Sequence, residues 1–306
     1  MVLPRPILSL TVAPVDPGER GHLHAVLAAL SAADRAISFV VDPASGMTRL
    51  RGESLEQLLA ACRCIERERH IPIEFSLPEV ILVEMLRQPA EGVGKYIRQT
   101  GGSGNYGHVK LRLEPQEPGA GIAFMQQIRG GVVPEKYLQP IEQGIREAAR
   151  GGILAGCEVV DFKATLYDGS HHEMDSNPMA FRIAASLAFK DAARMANPAV
   201  MEPVMRVAFT VPESRLGAKI AEINRLRGRI EEASGDDASA VIRAAIPLHE
   251  MLRYSGPVPH SMEFSHYEPA RWPPDDAETA SSAVRNPRGP GPRGTSAKAD
   301  PDLDWT

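Results

Sequence analysis

The centre of this chain is organised around residues 94–114, which read GKYIRQTGGSGNYGHVKLRLE. Apolar and polar side chains alternate from Val109 to Glu114, a period of two that is typical of a strand with one buried face. Residues 100–107 contain four glycines, which allow the backbone to turn sharply and to approach another surface closely. The stretch predicts two short strands joined by a glycine-rich loop. Basic side chains flank that loop, so the end of the hairpin is suited to binding in a cleft lined by phosphate groups.

The glycine spacing of this loop also matches the dinucleotide fingerprint GxGxxG at Gly102, Gly104 and Gly107. That fingerprint requires a helix after the last glycine, because the N–H groups at the helix N-terminus bind the pyrophosphate. A strand pattern follows here, so the dinucleotide interpretation fails. The phosphate loop of nucleotide hydrolases fails as well, because His108 stands where a lysine is required. We find no other nucleotide-binding motif and expect no cofactor.

The size and charge of the chain limit the classes of function. Its 306 residues are enough for two or three domains with real cores. Its net charge of -5 argues against nucleic-acid binding through a general positive field, so any RNA contact must come from local patches. No apolar run resembles a signal peptide or approaches the roughly 20 residues of a membrane span. Because three unevenly spaced cysteines do not make a disulfide framework, we expect reduced thiols and a cytoplasmic location.

The regions on either side of the centre share one pattern. Residues 6–75 read as strand, helix, strand, strand, helix, strand, with Asp16 placed to cap the first helix. Residues 203–268 repeat that order, so we predict two ferredoxin-like sandwiches. The second crossover helix of the later sandwich should be short or lost, because Pro257 and Pro259 interrupt the segment before the last strand. Other residues must then bury the face of the sheet that this helix would have covered.

Between the two sandwiches, residues 80–201 form the unit that contains the glycine-rich hairpin. We predict a strand from Val159 to Tyr167 and a long helix from Pro178 to Ala196. Asn177 is placed to cap this helix, whose small apolar side chains suit a position under the sheet. A second polar loop, residues 168–177, joins the strand to the helix.

That second loop carries the largest group of reactive side chains, DGSHHEMDS at residues 168–176. Zinc binding would use its histidines and acids, but adjacent residues point apart and no metal-ligand spacing such as HExxH is present. A hydrolase would pair Ser170 or Ser176 with a histidine and Asp175, yet no nucleophile elbow surrounds either serine. A third alternative is a solvated turn in which Asp175 and Ser176 cap the next helix. We predict no catalytic residue and no metal site.

Four segments of the chain together resemble bacterial elongation factor G. They are KYIRQTGGSGNYGHVKLRLEP, GGVVPEKYLQPIEQGI, DGSHHEMDS and MEFSHYEP, and they occur in the order of that family. The similarity extends over about residues 6–269 and covers the third, fourth and fifth domains of the family. Because the chain begins at Met1 just before the third-domain region, the resemblance implies a translocase chain without its GTPase and β-barrel domains.

The resemblance implies an α+β fold class in which two ferredoxin-like sandwiches flank a middle α/β domain. It places a third-domain-like sandwich at residues 1–79 and a fourth-domain-like unit, similar to ribosomal protein S5 domain 2, at residues 80–201. A shortened fifth-domain-like sandwich follows at residues 202–270. Residues 271–306 are rich in Pro, Gly and Ser and are expected to form a disordered tail.

In elongation factor G, two loops at the tip of the fourth domain reach the decoding site of the ribosome. The resemblance matches them to residues 100–107 and 168–176, and His172 falls on the family's tip histidine. The candidate ribosome-contacting residues are Gly101, Gly102, Ser103, Gly104, Asn105, Tyr106, Gly107, Gly169, Ser170, His171, His172 and Asp175. The family usually has arginine at Ser103, glutamine at Asn105 and often tyrosine at the first of the two histidines. Loss of that arginine removes a phosphate contact.

The resemblance therefore implies a non-catalytic, RNA-binding translation protein whose middle domain enters the A-site side of the decoding region. Its expected partners are ribosomal RNA, tRNA and mRNA at the decoding site, and a separate GTPase subunit that would act in trans. If such a subunit docks, the first sandwich should expose an unusually apolar face. One alternative is a truncated or divergent relic without ribosome activity. Another is an enzyme that works at residues 168–176.

Overall fold

The computed structural model describes residues 5–42, 45–100, 103–128, 132–235 and 238–271. Contacts between residues group the described chain into two compact units. One unit contains residues 82–201 and 269–271, and the other contains residues 5–81 and 202–268. The three-domain boundaries remain a prediction, and the predicted disordered tail lies outside the described residues except for Arg271.

The first sandwich has the predicted alternation of strands and helices. Its elements are β1 (Leu8–Pro14), α1 (Arg20–Ala33), β2 (Ser38–Val41), β3 (Thr48–Gly52), α2 (Leu55–Arg69), β4 (Ile73–Phe75) and β5 (Glu79–Val80). The four predicted strands form an antiparallel sheet in the order β2-β3-β1-β4, which is the ferredoxin-like order. Strand β5 was not predicted and pairs with β1. Asp16 accepts a hydrogen bond from the backbone N–H of Gly18, within the short 3-10 turn that precedes α1.

An extended apolar docking face is not apparent among the described residues of this sandwich. Its large exposed apolar side chains are Val15, Val40, Val41 and Leu77. Val40 and Val41 are neighbours on the edge strand β2, so their side chains point to opposite faces of the sheet. A GTPase partner therefore stays a prediction without a surface assigned to it.

The middle region contains the four-stranded sheet that carries the glycine-rich hairpin. Its elements are β6 (Val83–Met85), β7 (Ala90–Thr100), β8 (Ser103–Pro115), β9 (Ile122–Gln126), α3 (Leu138–Arg150), β10 (Val159–Val160), β11 (Phe162–Ser170) and α4 (Pro178–Met195). The sheet has the order β7-β8-β11-β9, with β9 parallel to β11 and the other pairs antiparallel. The predicted strand from Val159 is interrupted at Asp161, which has a φ of 53°.

Helix α4 lies directly against the hairpin because glycines leave room for its backbone. A Cβ built on Gly94 would lie 1.9 Å from the carbonyl oxygen of Ala184, and one on Gly92 would lie 2.4 Å from that of Ala188. Both distances are too short for atoms that are not bonded to each other, so any side chain at these two positions would push the helix away. The prediction that this helix lies under the sheet is confirmed, and its inward alanines and two phenylalanines are buried.

Both loops at the end of the hairpin are shorter than the sequence predicted. Strands β7 and β8 remain paired as far as Thr100 and Ser103, so residues 103–107 belong to a strand. Strand β11 likewise continues to Ser170, and only residues 171–177 connect it to α4. Cross-strand pairing satisfies the backbone groups that a longer loop would leave to solvent.

The last sandwich repeats the ferredoxin-like order. Its elements are β12 (Ala199–Pro212), α5 (Leu216–Arg225), β13 (Arg229–Gly235), β14 (Ser239–Pro247), α6 (Leu248–Leu252) and β15 (Ser261–Pro269). The strands are arranged β15-β12-β14-β13, with β12 paired to β14 from Val204 onward. The α+β fold class with two ferredoxin-like sandwiches is thus confirmed.

The second crossover helix of this sandwich is reduced to the five residues of α6, as the prolines predicted. Leu248 and Met251 of α6 are buried. The ring of Tyr254 packs edge-on against Phe209 of β12, with centroids 5.8 Å apart. Lys219 of α5 reaches the same place, its Nζ donating to the Tyr254 hydroxyl at 2.6 Å and lying 4.3 Å from the Phe209 centroid. The ring of Tyr254 and the aliphatic part of Lys219 thus cover the surface of the sheet beside the short helix α6.

The cysteines are free thiols, and Cys62 is fully buried. Burial raises the pKa of Cys62 to about 12 and that of Cys157 to about 11, so both stay protonated and unreactive at neutral pH. Within the described residues, no group of three His, Cys, Asp or Glu side chains is arranged to hold a metal ion. None of the described helices has the length and apolar character required to cross a membrane.

Candidate functional site at the end of the hairpin

The two predicted tip segments lie side by side in the structure. The backbone N–H of Tyr106 donates to the carbonyl oxygen of Asp175 at 2.8 Å, and the Ser176 hydroxyl donates to the carbonyl oxygen of Tyr106 at 3.0 Å. Tyr106 and Ser176 also form a parallel β-bridge. We call residues 103–107 and 168–176 the tip. The tip is one continuous hydrogen-bonded end of the middle sheet, although its two halves are more than sixty residues apart in sequence.

Asp175 connects the two halves through its side chain. Its Oδ1 accepts a hydrogen bond from the backbone N–H of Gly104 at 3.1 Å, and its Oδ2 lies 3.2 Å from Nδ1 of His172. A Cβ on Gly104 would lie 2.5 Å from this carboxylate. The sequence suggested that the loop glycines allow close approach to a foreign surface, but Gly104 makes room for Asp175. Gly107 makes room for the first turn of α4, where its Cβ would meet the carbonyl oxygen of Ala180 at 2.5 Å.

The helix cap next to the tip is made by Asn177. Its side-chain oxygen accepts from the backbone N–H of Ala180 at 2.9 Å, and its amide nitrogen donates to Oδ1 of Asn105 at 2.7 Å. The cap prediction for Asn177 is therefore confirmed, and the alternative cap by Asp175 and Ser176 is wrong. The Ser176 hydroxyl instead accepts from the backbone N–H of His172 at 2.8 Å.

A second cluster of polar side chains lies where β8 and β11 meet. The Ser170 hydroxyl lies 2.8 Å from the Tyr106 hydroxyl and 2.9 Å from Nδ1 of His108. Partial burial, together with the nearby Lys110 and Lys95 ammonium groups, lowers the pKa of His108 and keeps its ring neutral near pH 7. The sequence had not assigned His108 to this cluster, although it had noted His108 as a basic residue beside the loop.

The hydrolase arrangement considered from the sequence is not assembled. Ser170 contacts His108, whereas Asp175 contacts His172, so the serine and the carboxylate belong to different hydrogen-bonded sets. The Ser176 hydroxyl is engaged with two backbone groups. A nucleophilic serine requires a base that is itself oriented by a third group, and these contacts do not provide that chain.

The outermost part of the tip is polar apart from one methionine. The four consecutive exposed residues are His171, His172, Glu173 and Met174. The His172 side chain is 59% exposed; its Nδ1 lies 3.2 Å from Asp175, and its ring lies 6.4 Å from the Tyr106 ring. The His171 ring is directed elsewhere, with Nδ1 3.0 Å from the carbonyl oxygen of Val132. Different partners thus separate the two histidine rings, which disfavours a shared zinc ion.

Positive charge on the hairpin is neutralised at its base and left free toward its tip. Lys110 pairs with Asp168 at 2.8 Å, and Arg112 pairs with Glu91 at 2.7 Å. Within the described part of the chain, Lys95 and Arg98 have no ion-pair partner, and both are exposed on β7. The two residues are three positions apart on one strand, so their side chains point to opposite faces of the sheet, and each provides a separate local cation for RNA contact.

Two arginines at the junction of α5 and β13 are paired with carboxylates. Arg227 lies 2.6 Å from Glu202 and 3.6 Å from Glu250, and Arg229 lies 3.7 Å from Glu268. Because these guanidinium groups are already paired within the protein, we interpret both arginines as ordinary surface residues and not as RNA contacts.

Three of the predicted tip residues cannot be placed fully. Gly101 and Gly102 lie outside the described residues, as does the side chain of Ser103. The other predicted residues all belong to the end of the middle sheet or to the segment that follows β11.

Comparisons with known proteins agree with this fold. The family model for elongation factor G, domain IV, matches residues 78–197, and the one for the elongation factor G C-terminus matches residues 199–277. A crystal structure of a protein from Thermus thermophilus is similar over 94% of this chain, with 36% sequence identity and a TM-score of 0.64. The match covers 44% of that protein, so the chain spans less than half of its length.

Proposed function

Because the chain belongs to the elongation factor G family, we propose that it binds the ribosome through the tip and enters the A-site side of the decoding region. The matched regions are domain IV and the C-terminus of that family, which makes this chain an elongation factor G-like translation factor segment. Ribosomal RNA would be the main partner, with tRNA and mRNA at the decoding site.

This proposal rests on one observation. Two segments that are far apart in sequence form a single exposed and hydrogen-bonded end of the middle sheet. A surface that enters a folded RNA must hold its shape, because ordering a flexible loop on binding costs conformational entropy. The tip presents an exposed histidine ring, with Lys95 and Arg98 close to it on the hairpin. Such groups hydrogen-bond to ribose hydroxyls and phosphates and read the shape of RNA.

The mechanism we propose is occupancy of space without chemistry. The tip would exclude or displace RNA by its volume, and no bond would be made or broken. A separate GTPase subunit acting in trans would couple this occupancy to nucleotide hydrolysis, and a cytoplasmic location follows from the partner. Occupancy by this chain needs no cofactor, and the nucleotide and its metal ion would belong to the separate subunit.

Two departures from the family's usual residues affect the expected affinity. Ser103 replaces an arginine, which removes one charged phosphate contact. Asn105 replaces a glutamine, and its side-chain oxygen accepts from Asn177. Asn105 therefore supports the tip from within, and we expect binding to depend more on Arg98 and His172.

The test is co-sedimentation with ribosomes at increasing salt. We expect binding at low salt that weakens as salt rises, and about 3- to 30-fold weaker binding for the double variant Arg98→Ala, His172→Ala, since one phosphate contact and one hydrogen bond are lost. His22→Ala is a matched control. His22 is 56% exposed and contacts a carboxylate, Glu19 at 3.0 Å, as His172 does, but it lies on α1.

Absence of binding at low salt by a folded chain would exclude the proposal. Cooperative thermal unfolding without ribosome binding would then favour a relic that keeps the fold and has lost the function. Equal weakening by His22→Ala would show that the loss is not specific to the tip.

A further inference from the structure

Helix α4 carries apolar side chains on its outer side as well as on the side that faces the sheet. Met179 and Leu187 are 60% and 44% exposed, and Ile183 between them is half-buried. The three residues are four positions apart, so they form one stripe along the helix. A contiguous apolar surface of this kind is typical of an interaction site.

A groove of about 350 Å³ follows this stripe, and we call it the α3–α4 groove. It is lined by the three apolar residues together with Ser186, Arg182 and Lys190 of α4 and Glu147 of α3. The two helices are in direct contact, because a Cβ on Gly144 of α3 would lie 2.2 Å from the carbonyl oxygen of Arg182. The groove therefore belongs to a packed helix pair and is formed before any ligand binds.

The charges at this groove favour an acidic ligand. Arg182 pairs with Glu147 at 2.8 Å. Among the residues that the structure describes, Lys190 and Arg194 have no ion-pair partner, and they lie one turn apart on α4. The surface thus combines an apolar stripe with two uncompensated cations at its end, which matches a ligand that is both apolar and acidic.

The chain contains such a ligand at residues 302–306, which read DLDWT and which we call the DLDWT segment. Val284 is the only large apolar residue between Trp272 and Leu303 in the sequence. In an extended backbone, Leu303 and Trp305 would point to one side and the two aspartates to the other. The segment lies outside the described residues, and its sequence combines the apolar and acidic groups that the groove can accept.

The chain leaves the middle unit close to α4, so the DLDWT segment can reach the groove. The backbone N–H of Ala270 donates to the carbonyl oxygen of Val200 at 2.9 Å, shortly after α4 ends at Met195. Ile183 lies about three turns before Met195, which places the groove roughly 20 Å away. A linker of roughly thirty residues spans roughly 30 Å on average. A linker that matches the span in this way gives its end a high effective concentration at the site.

We propose that the DLDWT segment binds in the α3–α4 groove of its own chain. Leu303 and Trp305 cover the apolar stripe, and the aspartates lie near Lys190 and Arg194. The groove is thus an intramolecular docking site. The docking does not depend on ribosome binding, and a second copy of the chain or a separate subunit are the rival occupants.

The first test is carbon-13 NMR of the methionine methyl groups in the full chain. The ring current of an indole on the stripe shifts the methyl signal of Met179. We expect Trp305→Ala to move that signal and to leave unchanged the signal of Met125, which is 48% exposed on β9. Trp272→Phe is the matched control and should leave Met179 unchanged. An unchanged Met179 signal in Trp305→Ala, or an equal change in Trp272→Phe, would overturn the proposal.

The second test reverses the charge at the groove. Lys190→Glu should lower the ratio of bound to free segment about 2- to 10-fold, because an attractive pair becomes repulsive. Asp302→Lys and Asp304→Lys in the same chain should restore the Met179 signal. Arg63→Glu is the control, since it makes the same change at an exposed position of α2. Failure of the two lysines to restore the signal would show that the aspartates do not bind beside Lys190.

The third test distinguishes the segment of the same chain from that of a second copy. Docking within one chain is independent of protein concentration, so the Met179 signal should stay the same across a roughly 10-fold dilution. A signal that returns to the Trp305→Ala position on dilution, with a matching fall in sedimentation mass, would assign the groove to a second copy and overturn the intramolecular docking.

Discussion

The base and the tip of the hairpin both depend on glycine, but for neighbours of different kinds. At the base, a side chain on Gly92 or Gly94 would collide with the backbone of α4. At the tip, a side chain on Gly107 would still collide with that backbone, whereas one on Gly104 would collide with the end of the Asp175 side chain. A helix backbone packed on a sheet cannot yield without losing the core contacts of both elements, whereas a carboxylate can rotate away. The glycines that face α4 therefore determine the fold, whereas Gly104 at the tip determines a local arrangement.

The largest effect is expected at the base. Gly94→Ala should lower the free energy of unfolding by about 3 kcal/mol or more, since the overpacked helix must move as a whole. Gly21→Ala is the control, because a Cβ there has no neighbour within 4 Å and the site lies in α1. Urea denaturation measures both. A Gly94→Ala protein as stable as the Gly21→Ala protein would contradict the account of the base.

A smaller loss is expected where base and tip join. Asn177→Ala removes the cap of α4 and the hydrogen bond to Asn105, and should reduce stability by about 1 to 2 kcal/mol. Asn224→Ala provides the comparison, because Asn224 is an exposed asparagine in the last turn of α5 and not at a helix N-terminus. Equal unfolding midpoints for the two variants would show that the cap contributes nothing.

At the tip, Gly104→Ala should reduce stability by less than about 1 kcal/mol, since rotation of Asp175 relieves the collision. Its effect should appear in the His172 ring, which loses the Asp175 carboxylate as an ion-pair neighbour. Chemical denaturation and histidine NMR measured on one sample separate the two effects. A global loss as large as that of Gly94→Ala would remove the distinction between base and tip.

The smallest effect concerns pH and the Ser170 cluster. Burial lowers the pKa of His108 in the folded state, so the unfolded chain binds the proton more readily. Stability should therefore decrease as the pH falls through the unfolded-state value of about 6.5 and continue to decrease toward the lower folded-state pKa. His108→Gln should flatten the pH dependence of the unfolding midpoint between about pH 7 and 5. If the unfolding midpoint of His108→Gln varied with pH as it does in the wild type, titratable groups other than His108 would be responsible for the pH dependence.

Much of the fold could be predicted because the signals are local. Apolar spacing identified α4, an asparagine before a proline identified its cap, and repeated strand and helix patterns identified both sandwiches. Prolines before β15 correctly predicted a shortened α6. The cover that replaces the helix was not predictable, because Lys219, Tyr254 and Phe209 meet only in the folded sheet.

The tip residues could be named from the sequence, but their partners could not. The polar loop suggested that Asp175 or Ser176 caps a helix, and the fold instead directs the Asp175 side chain to Gly104 and His172. Hydrogen bonds within a few residues follow from sequence spacing, whereas those across some seventy residues depend on how strands are aligned.

The sequence by itself determined the order of the elements, the two ferredoxin-like patterns and the glycines that admit α4. Only the tertiary structure decided which side chains meet at the end of the middle sheet. The physical reason is a β-bulge between Leu166 and Asp168, after which β11 pairs Ser170 with His108 of β8. Side chains alternate between the faces of a strand, so without that extra residue Ser170 would point to the opposite face and the cluster with Tyr106 and His108 would not exist.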